Sequence, residues 1–141
     1  MKAVTFENLK KLNYTMKESL RALKTNIQFC GDDICTIVVT SAMPNEGKST
    51  VTMDLARSFS ESGKRVLLID TDMRKSVYVG RLRAVASDGR EIYGLSHFLS
   101  GQKKLEDVLY GTTIPGLFMI FAGPSVPNPV SYTHLRAHET S

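Results

Sequence analysis

The sequence predicts an α/β fold with an open, doubly wound parallel sheet. Three short apolar runs, at 34–40, 65–70 and 117–122, have the length and composition of strands buried on both faces. Between the first two runs lies an amphipathic stretch, Val51 to Phe59, which is typical of a helix. Strands that alternate with a helix favour parallel pairing, with ligands bound at the carboxyl ends of the strands.

Length and composition limit the chain to one domain with a mildly basic balance. It has 141 residues and a net charge of +4, which fits a nucleotide or phosphate ligand. The sequence contains no Lys/Arg block and no stripe of basic and aromatic residues, so we expect no nucleic acid partner. Cys30 and Cys35 suggest neither a disulfide framework nor a metal site. We expect a reduced, cytosolic chain without a signal peptide or membrane span.

The first segment and the first helix have clear sequence signals. Residues 1–14 are polar and contain several lysines, so we expect a flexible segment ahead of the domain. Thr15 and Glu18 have the spacing of a capping box at the start of a helix. The apolar stripe of this helix has spacings of four, three and four and consists of Met16, Leu20, Leu23 and Ile27.

Glu18, Arg21 and Lys24 form a charged row on the side of this helix opposite the apolar stripe. The helix does not need the row for its own core. From the residues alone, the simplest interpretation is a solvated face on which Glu18 is used in the cap.

The stretch Ser41 to Thr50 lies between the first predicted strand and the next helix, which is where a phosphate-binding loop belongs. Unpaired N–H groups and the dipole at the start of that helix favour an anion. Gly47 would let the backbone approach a phosphate, Lys48 would contact the β- and γ-phosphates, and Ser49 would hold Mg²⁺. The candidate nucleotide-binding residues are Ala42, Pro44, Asn45, Glu46, Gly47, Lys48, Ser49 and Thr50.

This loop departs from the standard pattern at one position, because Ala42 stands where the pattern has Gly. The alternative interpretation is a helix that starts with Lys-Ser after a Pro-Asn turn. The strand before the loop and the helix after it favour the phosphate-binding interpretation.

Two carboxylates follow the second predicted strand. The carboxyl ends of parallel strands form the ligand edge of an open sheet, so Asp70 and Asp72 should lie beside the loop. Carboxylates there can hold Mg²⁺ or its waters, or accept a proton from an attacking hydroxyl. Ser49, Asp70 and Asp72 are therefore the candidate metal ligands. A cap or turn is the alternative role for Asp70, and an exposed pair with Arg74 is the alternative for Asp72.

The second half of the chain is less regular. Residues 75–93 lack clean periodicity, whereas Gly94 to Gly101 has the pattern of a short helix bounded by glycines. His97 is isolated there among small and apolar residues, which is more typical of a surface or core-edge histidine than of a ligand. Leu105 to Leu109 indicates another helical turn or two. Three prolines within 123–129 indicate a rigid connection after the third strand.

At these motifs the sequence resembles the bacterial tyrosine kinases, specifically the cytosolic CpsD/CapB type that governs capsule and exopolysaccharide synthesis. The motifs are Ser-Ala-x-Pro-x-Glu-Gly-Lys-Ser at 41–49 and Asp-x-Asp-x-Arg at 70–74, the Walker A and Walker A′ motifs of that family. Segments 18–27, 94–101 and 122–129 agree. The resemblance covers about residues 11–129 and implies a P-loop NTPase fold of the deviant Walker, partition-ATPase-like group.

The resemblance implies an autophosphorylating protein-tyrosine kinase that uses ATP and Mg²⁺. Its catalytic positions are Lys48, which holds phosphates, and Asp70 with Asp72, which accept the tyrosine proton or organise the metal. The implied substrates are protein tyrosines, mostly on a neighbouring subunit. The implied partner is a membrane-spanning activator, which would hold the cytoplasmic kinase at the inner face of the plasma membrane.

The same resemblance gives the charged row a second interpretation. In the family, a Glu-x-x-Arg-x-x-Arg row on this helix joins neighbouring subunits into a ring. Glu18 and Arg21 match that row, and Lys24 replaces its second arginine. Lysine lacks the planar, bidentate fork of arginine, so the contact would differ in detail.

A partition or septum-placement ATPase of the same deviant Walker group is the alternative function. Those proteins carry a signature lysine immediately after the first position of the loop. Met43 occupies that position here and cannot supply the charge, which favours the kinase.

Residues 131–141 lack apolar periodicity, and residues 130–140 look like a transposon-end sequencing adapter in one reading frame, so we expect a non-native tail at 131–141. This leaves 15–130 as the N-terminal part of a truncated kinase domain. The family's Walker B strand and tyrosine cluster lie beyond that part, so we expect the fragment itself to be inactive as a kinase. His134 and His138 have no third partner and do not indicate a metal site.

Overall fold

The computed structural model describes residues 1–7, 13–31, 33, 35–39, 48–72 and 84–124, with the backbone alone at residues 48 and 49. The helices are α1 (Tyr14–Phe29), α2 (Lys48–Glu61), α3 (Leu95–Leu99) and α4 (Leu105–Val108). The strands are β1 (Lys2–Phe6), β2 (Val66–Ile69), β3 (Ala84–Ala86), β4 (Leu109–Thr112) and β5 (Leu117–Ile120).

These strands form an open sheet in the order β2-β5-β4-β1-β3. The pairs β2–β5 and β1–β4 are parallel, whereas β4–β5 and β1–β3 are antiparallel. The predicted α/β fold with an open sheet is confirmed, and the sheet is mixed rather than parallel throughout. The reason is the short connection at 113–116, where Gly116 adopts φ +79°, because such a turn can join only antiparallel neighbours.

The amino-terminal residues belong to the sheet. β1 lies between β4 and β3, and Val4 is completely buried. The prediction of a flexible segment at 1–14 is therefore wrong for residues 2–6. The short run Ala-Val-Thr-Phe has the alternation of a strand, but its neighbours come from residues more than 75 positions later, so local sequence could not reveal the pairing.

α1 begins two residues earlier than the capping-box pattern predicts, because its N-cap is residue 13 and not residue 15. Its N-cap is Asn13, whose side-chain oxygen accepts a hydrogen bond from the Met16 amide at 2.8 Å. Thr15 is inside the helix, and Glu18 pairs instead with Arg21. Asparagine is at least as good an N-cap as threonine, which is consistent with a helix that begins after Asn13 and not after Thr15.

The core is formed by α2 and by residues from each of the described strands. Tyr110 and Phe121 pack edge to face at a centroid distance of 5.8 Å, and both are fully buried. The core cluster consists of Val4, Met53, Ala56, Leu68, Ala84, Tyr110, Leu117, Met119 and Phe121. It fixes α2 against the sheet and so determines where the start of α2 lies.

The first predicted strand has a different outcome from the other two. Runs 65–70 and 117–122 contain β2 and β5, as predicted. Residues 35–39 form no ladder with a described strand, and Ile37 and Val38 are 45% and 82% exposed. The strand prediction is wrong for these five residues. A strand needs a neighbouring strand to pair with, and none of the described strands lies beside this segment in hydrogen-bonding register.

Candidate nucleotide-binding site

The candidate site begins at the first turn of α2. The backbone of Lys48 and Ser49 starts this helix, and the exposed Thr50 follows. The first N–H groups of an α-helix have no partner within the helix, and the dipole makes the region attractive to an anion. The predicted loop residues Ala42, Pro44, Asn45, Glu46 and Gly47 lie outside the described residues.

The connection between α2 and β2 brings the start of the helix to one edge of the sheet. Gly63, at φ +90°, ends the α2 turn, and β2 starts at Val66. Because this link is short and Met53 packs in the same core as Leu68, α2 and β2 run in opposite directions. The start of α2 and the carboxyl end of β2 therefore lie toward the same edge, as the sequence predicts.

Asp70 lies directly after β2, with only 8% of its surface exposed. Its amide donates to the Ile120 carbonyl at 2.9 Å and so extends the β2–β5 ladder. Its Oδ1 accepts a hydrogen bond from the Asp72 amide at 3.0 Å. Asp70 thus has the turn role that the sequence offered as an alternative. This hydrogen bond does not by itself exclude a role with a metal or a proton, because a carboxylate oxygen can accept more than one partner.

The structure brings Asp70 and Asp72 together at this edge, with Asp72 half-buried. Among the described residues, no group of three or more His, Cys, Asp or Glu side chains could hold a metal ion by itself. Mg²⁺ does not require such a group, because it binds through one or two carboxylates and keeps waters and substrate phosphates as its other ligands. The carboxylates of Asp70 and Asp72 fit that donor set.

Asp54 is a buried acid that the sequence analysis did not identify. It lies on α2 beside the core residue Met53 and is 5% exposed. Arg57 approaches its Oδ1 at 3.8 Å, while its Oδ2 has no hydrogen-bond partner. Burial raises the pKa of the Asp54 carboxyl, and the Arg57 guanidinium partly opposes this effect. An acid inside the apolar run at 51–59 was the available sequence signal.

The carboxyl end of β5 is held by the start of α3. The amides of Leu95 and Ser96 donate to the carbonyls of Phe121 and Ala122. His97 is buried, and its Nδ1 accepts the Gly94 amide at 2.9 Å. This places His97 at the edge of the core, in agreement with its predicted structural role. Because β5 is parallel to β2, this junction lies at the same edge of the sheet as Asp70.

The charged row lies on α1. Arg21 is exposed and pairs with the partly exposed Glu18 at 3.4 Å, whereas Lys24 is half-buried. An exposed pair of this kind contributes at most about 1 kcal/mol to stability. The row is therefore not required for the fold, and both interpretations from the sequence remain compatible with its position.

The CobQ/CobB/MinD/ParA nucleotide binding domain family matches residues 37–115, more than half of the chain. The chain belongs to this family. The matched residues include the first turn of α2 and Asp70, so the candidate site falls within the nucleotide-binding domain. The predicted P-loop NTPase fold is confirmed.

The curated relatives of this chain include the tyrosine-protein kinase CpsD of Streptococcus pneumoniae, which is 43% identical to it over 124 residues. The alignment covers 86% of this chain and 53% of that relative. The chain thus spans about half the length of the curated relatives it matches. The resemblance to the bacterial tyrosine kinases is confirmed at the level of sequence similarity.

Two solved kinase domains have the same fold as this chain. The BceF tyrosine kinase domain is 38% identical with a TM-score of 0.68, and the match covers 87% of this chain and 50% of that one. The kinase domain of the Escherichia coli tyrosine kinase ETK is 30% identical with a TM-score of 0.70, covering 87% and 48%. Within the described residues, no helix is both long enough and apolar enough to span a bilayer.

Proposed function

We propose that this chain is the ATP-binding part of an autophosphorylating protein-tyrosine kinase that regulates capsular or extracellular polysaccharide synthesis. The observation that supports this most strongly is the position of Asp70. A buried carboxylate at the end of β2 lies toward the same edge as the start of α2. The named tyrosine-protein kinases among the relatives support this reaction over other uses of ATP.

In the proposed reaction, a tyrosine hydroxyl attacks the γ-phosphorus of ATP and ADP leaves. Lys48 and the amides at the start of α2 hold the β- and γ-phosphates. Asp70 accepts the phenolic proton, and its low exposure keeps water away from that proton. Mg²⁺, when bound, would neutralise the phosphate charge. Ser49, Asp70 and Asp72 would hold it.

The substrates and partners are part of the same proposal. Tyrosines of a neighbouring subunit are the acceptors, and a membrane-spanning activator brings the kinase to the inner face of the plasma membrane. The row of Glu18, Arg21 and Lys24 mediates ring formation. The exposure of Arg21, which α1 does not need for its own packing, supports this role. Replacing Arg21 and Lys24 with Ala in the intact kinase should lower its mass in light scattering, and an unchanged mass would favour a solvated face.

A hybrid enzyme tests the proposed reaction. The 124-residue segment of S. pneumoniae CpsD that matches this chain is replaced by the corresponding residues of this chain. With radiolabelled ATP and Mg²⁺, the hybrid should form phosphotyrosine, and its Asp70→Asn variant should be slower by a factor of about 10² to 10⁴. Hydrolysis of ATP without phosphotyrosine in a folded hybrid would instead indicate a switch ATPase of the partition type.

A further inference from the structure

Two lysines converge on the ring of Tyr93. The ammonium group of Lys103 lies 4.3 Å from the ring centroid, and that of Lys2 lies 5.9 Å from it. Both are attracted to the electron-rich face of the ring, since a cation gains cation–π energy within about 6 Å of the centroid. The rings of His97 and Tyr93 pack in a T-shaped arrangement at a centroid distance of 5.0 Å, which helps to fix Tyr93. We call Lys2, Tyr93 and Lys103 the basic cluster.

The positive charge of the basic cluster is not neutralised within the described part of the chain. Neither of its lysines forms an ion pair with a described acid, and both are half-buried. Asp88 and Asp107 are the acids whose charges reach the nearby Tyr110 hydroxyl. Each of them accepts a backbone amide of its own segment, from Arg90 at 3.0 Å and from Lys104 at 3.1 Å. Half-buried cations without an acidic partner favour an anionic ligand.

The basic cluster lies at the same edge of the sheet as Asp70. β1 is parallel to β4, β4 is antiparallel to β5, and β5 is parallel to β2, so β1 runs opposite to β2. The amino-terminal end of β1, which carries Lys2, therefore lies toward the carboxyl end of β2. Tyr110 is near the start of β4, at the same edge. Its hydroxyl accepts the Tyr93 amide at 3.0 Å, which holds Tyr93 there as well.

Lys2 and Asp70 also share one face of the sheet. A row of paired residues crosses four strands and consists of Lys2, Tyr110, Met119 and Leu68. Residues directly opposite one another have side chains on the same face, and the last three of this row belong to the core. Asp70 is two residues after Leu68 and so lies on that face too. With strands about 4.8 Å apart and about 3.3 Å per residue, Lys2 and Asp70 are roughly 16 Å apart, the length of about five extended residues.

We propose that the basic cluster binds an anionic side chain of the acceptor segment, about five residues from the tyrosine that reaches Asp70. The inference rests on the proposed function, because it takes Asp70 as the position of the tyrosine hydroxyl. Lys2 and Lys103 hold the carboxylate or phosphate of that side chain, and Tyr93 positions the two ammonium groups. The cluster thereby selects acceptors that carry an acidic residue or a phosphotyrosine at this spacing.

The depth and location of the basic cluster distinguish a peptide from other anions. Anionic membrane surfaces attract sets of about four to eight lysines and arginines, whereas this cluster has two lysines that are packed against Tyr93 and half-buried. The phosphates of ATP are assigned to the start of α2. An extended peptide with its tyrosine at Asp70 runs along the sheet edge and reaches the cluster.

Peptide binding tests the cluster without requiring phosphoryl transfer. The protein is the hybrid enzyme described above, built to begin at Met1 of this chain. Fluorescein-labelled peptides carry phenylalanine in place of the acceptor tyrosine, with Glu, phosphotyrosine or Gln five residues before or after it. In fluorescence anisotropy, the Glu and phosphotyrosine peptides should bind at least fivefold more tightly than the Gln peptide in one of the two directions. The difference should shrink as salt is added.

Paired substitutions provide the matched control. The double variant Lys2→Gln, Lys103→Gln should bind the three peptides with dissociation constants within twofold of one another. The double variant Lys64→Gln, Arg65→Gln removes the same charge from two exposed residues just before β2, at the opposite edge of the sheet. It should retain the full preference for the anionic peptides. Melting temperatures establish that both variants fold.

Steady-state kinetics with tyrosine-containing peptides gives a second measurement. Glu at the preferred spacing should lower KM at least fivefold and leave kcat within twofold, and the Lys2→Gln, Lys103→Gln variant should lose this difference. A folded hybrid that phosphorylates none of the peptides would contradict the proposed kinase function. The anisotropy measurements would then still decide whether the basic cluster binds anionic side chains.

Two results in the binding experiment would overturn the proposal. One is equal affinity for the Glu, phosphotyrosine and Gln peptides, and the other is a preference that persists when Lys2 and Lys103 are replaced. A preference for phosphotyrosine alone that is lost in that variant would support the site and assign it to a phosphorylated residue. Lysine-dependent binding to vesicles of anionic lipid, without a peptide preference, would assign the cluster to a membrane surface and contradict the proposed occupant.

Discussion

The carboxylate of Asp70 holds the backbone of Asp72, since its Oδ1 accepts the Asp72 amide at 3.0 Å. This contact closes a short turn directly after β2 and fixes both acids at the carboxyl edge of the sheet. The turn gives Asp70 a structural role in addition to its proposed roles with the metal and the proton. The two kinds of role can be separated by substitution.

Asp70→Asn should retain the turn and lose the charge. The amide oxygen of Asn can still accept the Asp72 amide, so the free energy of unfolding should change by less than about 1 kcal/mol. Binding of ATP should lose its dependence on Mg²⁺, because a neutral side chain is a poor ligand for that ion. Asp70→Ala, the comparison variant, should lose both properties. Unchanged Mg²⁺ dependence in Asp70→Asn, measured by calorimetry, would exclude Asp70 from the metal site.

The cap of α1 can be assigned by two matched substitutions. Asn13→Ala removes the side chain that accepts the Met16 amide and should lower the free energy of unfolding by about 1 kcal/mol. Thr15→Ala removes the residue that the sequence pattern favours, and it should change stability by less than about 0.5 kcal/mol. Urea denaturation measures both values, and the reverse order would show that the helix begins at Thr15 in solution.

This difference at α1 illustrates what the sequence could and could not predict. Asn13 and Thr15 are both good N-caps. The capping-box spacing to Glu18 favoured Thr15, whereas intrinsic N-cap preference favours Asn, and the sequence could not show which of the two signals would prevail. β2 and β5 were predicted because both are continuous apolar runs, the pattern of strands in a parallel sheet, although Leu67 and Ile69 of β2 are 48% and 47% exposed. β4 was missed because Leu-Tyr-Gly-Thr has a glycine and a polar residue, and only its partners β1 and β5 define it as a strand.

The sequence predicted where Asp70 lies in the candidate site, but it did not decide the role of Asp70 and did not identify the buried Asp54. The location of Asp70 follows from its place after an apolar run, and the structure agrees. The sequence left two roles open for Asp70, a turn or cap on the one hand and a metal or proton on the other. Its hydrogen bond from the Asp72 amide belongs to the first role, which the sequence could not distinguish from the second. Asp54 was missed because its burial depends on what packs around α2, and an acid at that point of a helix is equally compatible with a solvated face.

Asp54→Asn should change how stability depends on pH. Burial raises the pKa of Asp54 in the folded protein above its ordinary value of 3.8, so the folded state binds more protons than the unfolded state just above that pH. The contribution of Asp54 to stability is therefore largest below pH 3.8 and decreases as pH rises through its folded pKa. Asn has no such titration.

Denaturation of both proteins at a series of pH values measures this effect. The stability of the Asn variant relative to the natural protein should increase as pH rises from 3.8 and then become constant. All other titrating groups are common to the two proteins, so their contributions cancel in the difference. A difference that moves in favour of the natural protein over this range would mean that Arg57 outweighs burial.

The hydroxyl of Tyr110 should contribute to stability. Tyr110 is fully buried, and its hydroxyl oxygen accepts the Tyr93 amide at 3.0 Å. Tyr110→Phe leaves that amide without its acceptor and should cost about 1–3 kcal/mol. Tyr14→Phe removes the same group from a residue that is 78% exposed, and it should cost less than about 0.5 kcal/mol. Equal losses in urea denaturation would show that the buried contact is not responsible.

The most direct test of the nucleotide-binding site is calorimetric measurement of Mg·ATP binding to the 141-residue chain and to two lysine variants. Lys48→Met removes the cation proposed to contact the phosphates and should weaken binding by about 1.5–3 kcal/mol, or roughly ten- to 150-fold. Lys64→Met removes an exposed lysine just beyond the opposite end of α2 and should leave affinity unchanged. Equal dissociation constants for the unsubstituted chain and Lys48→Met would contradict the phosphate-binding role of the first turn of α2.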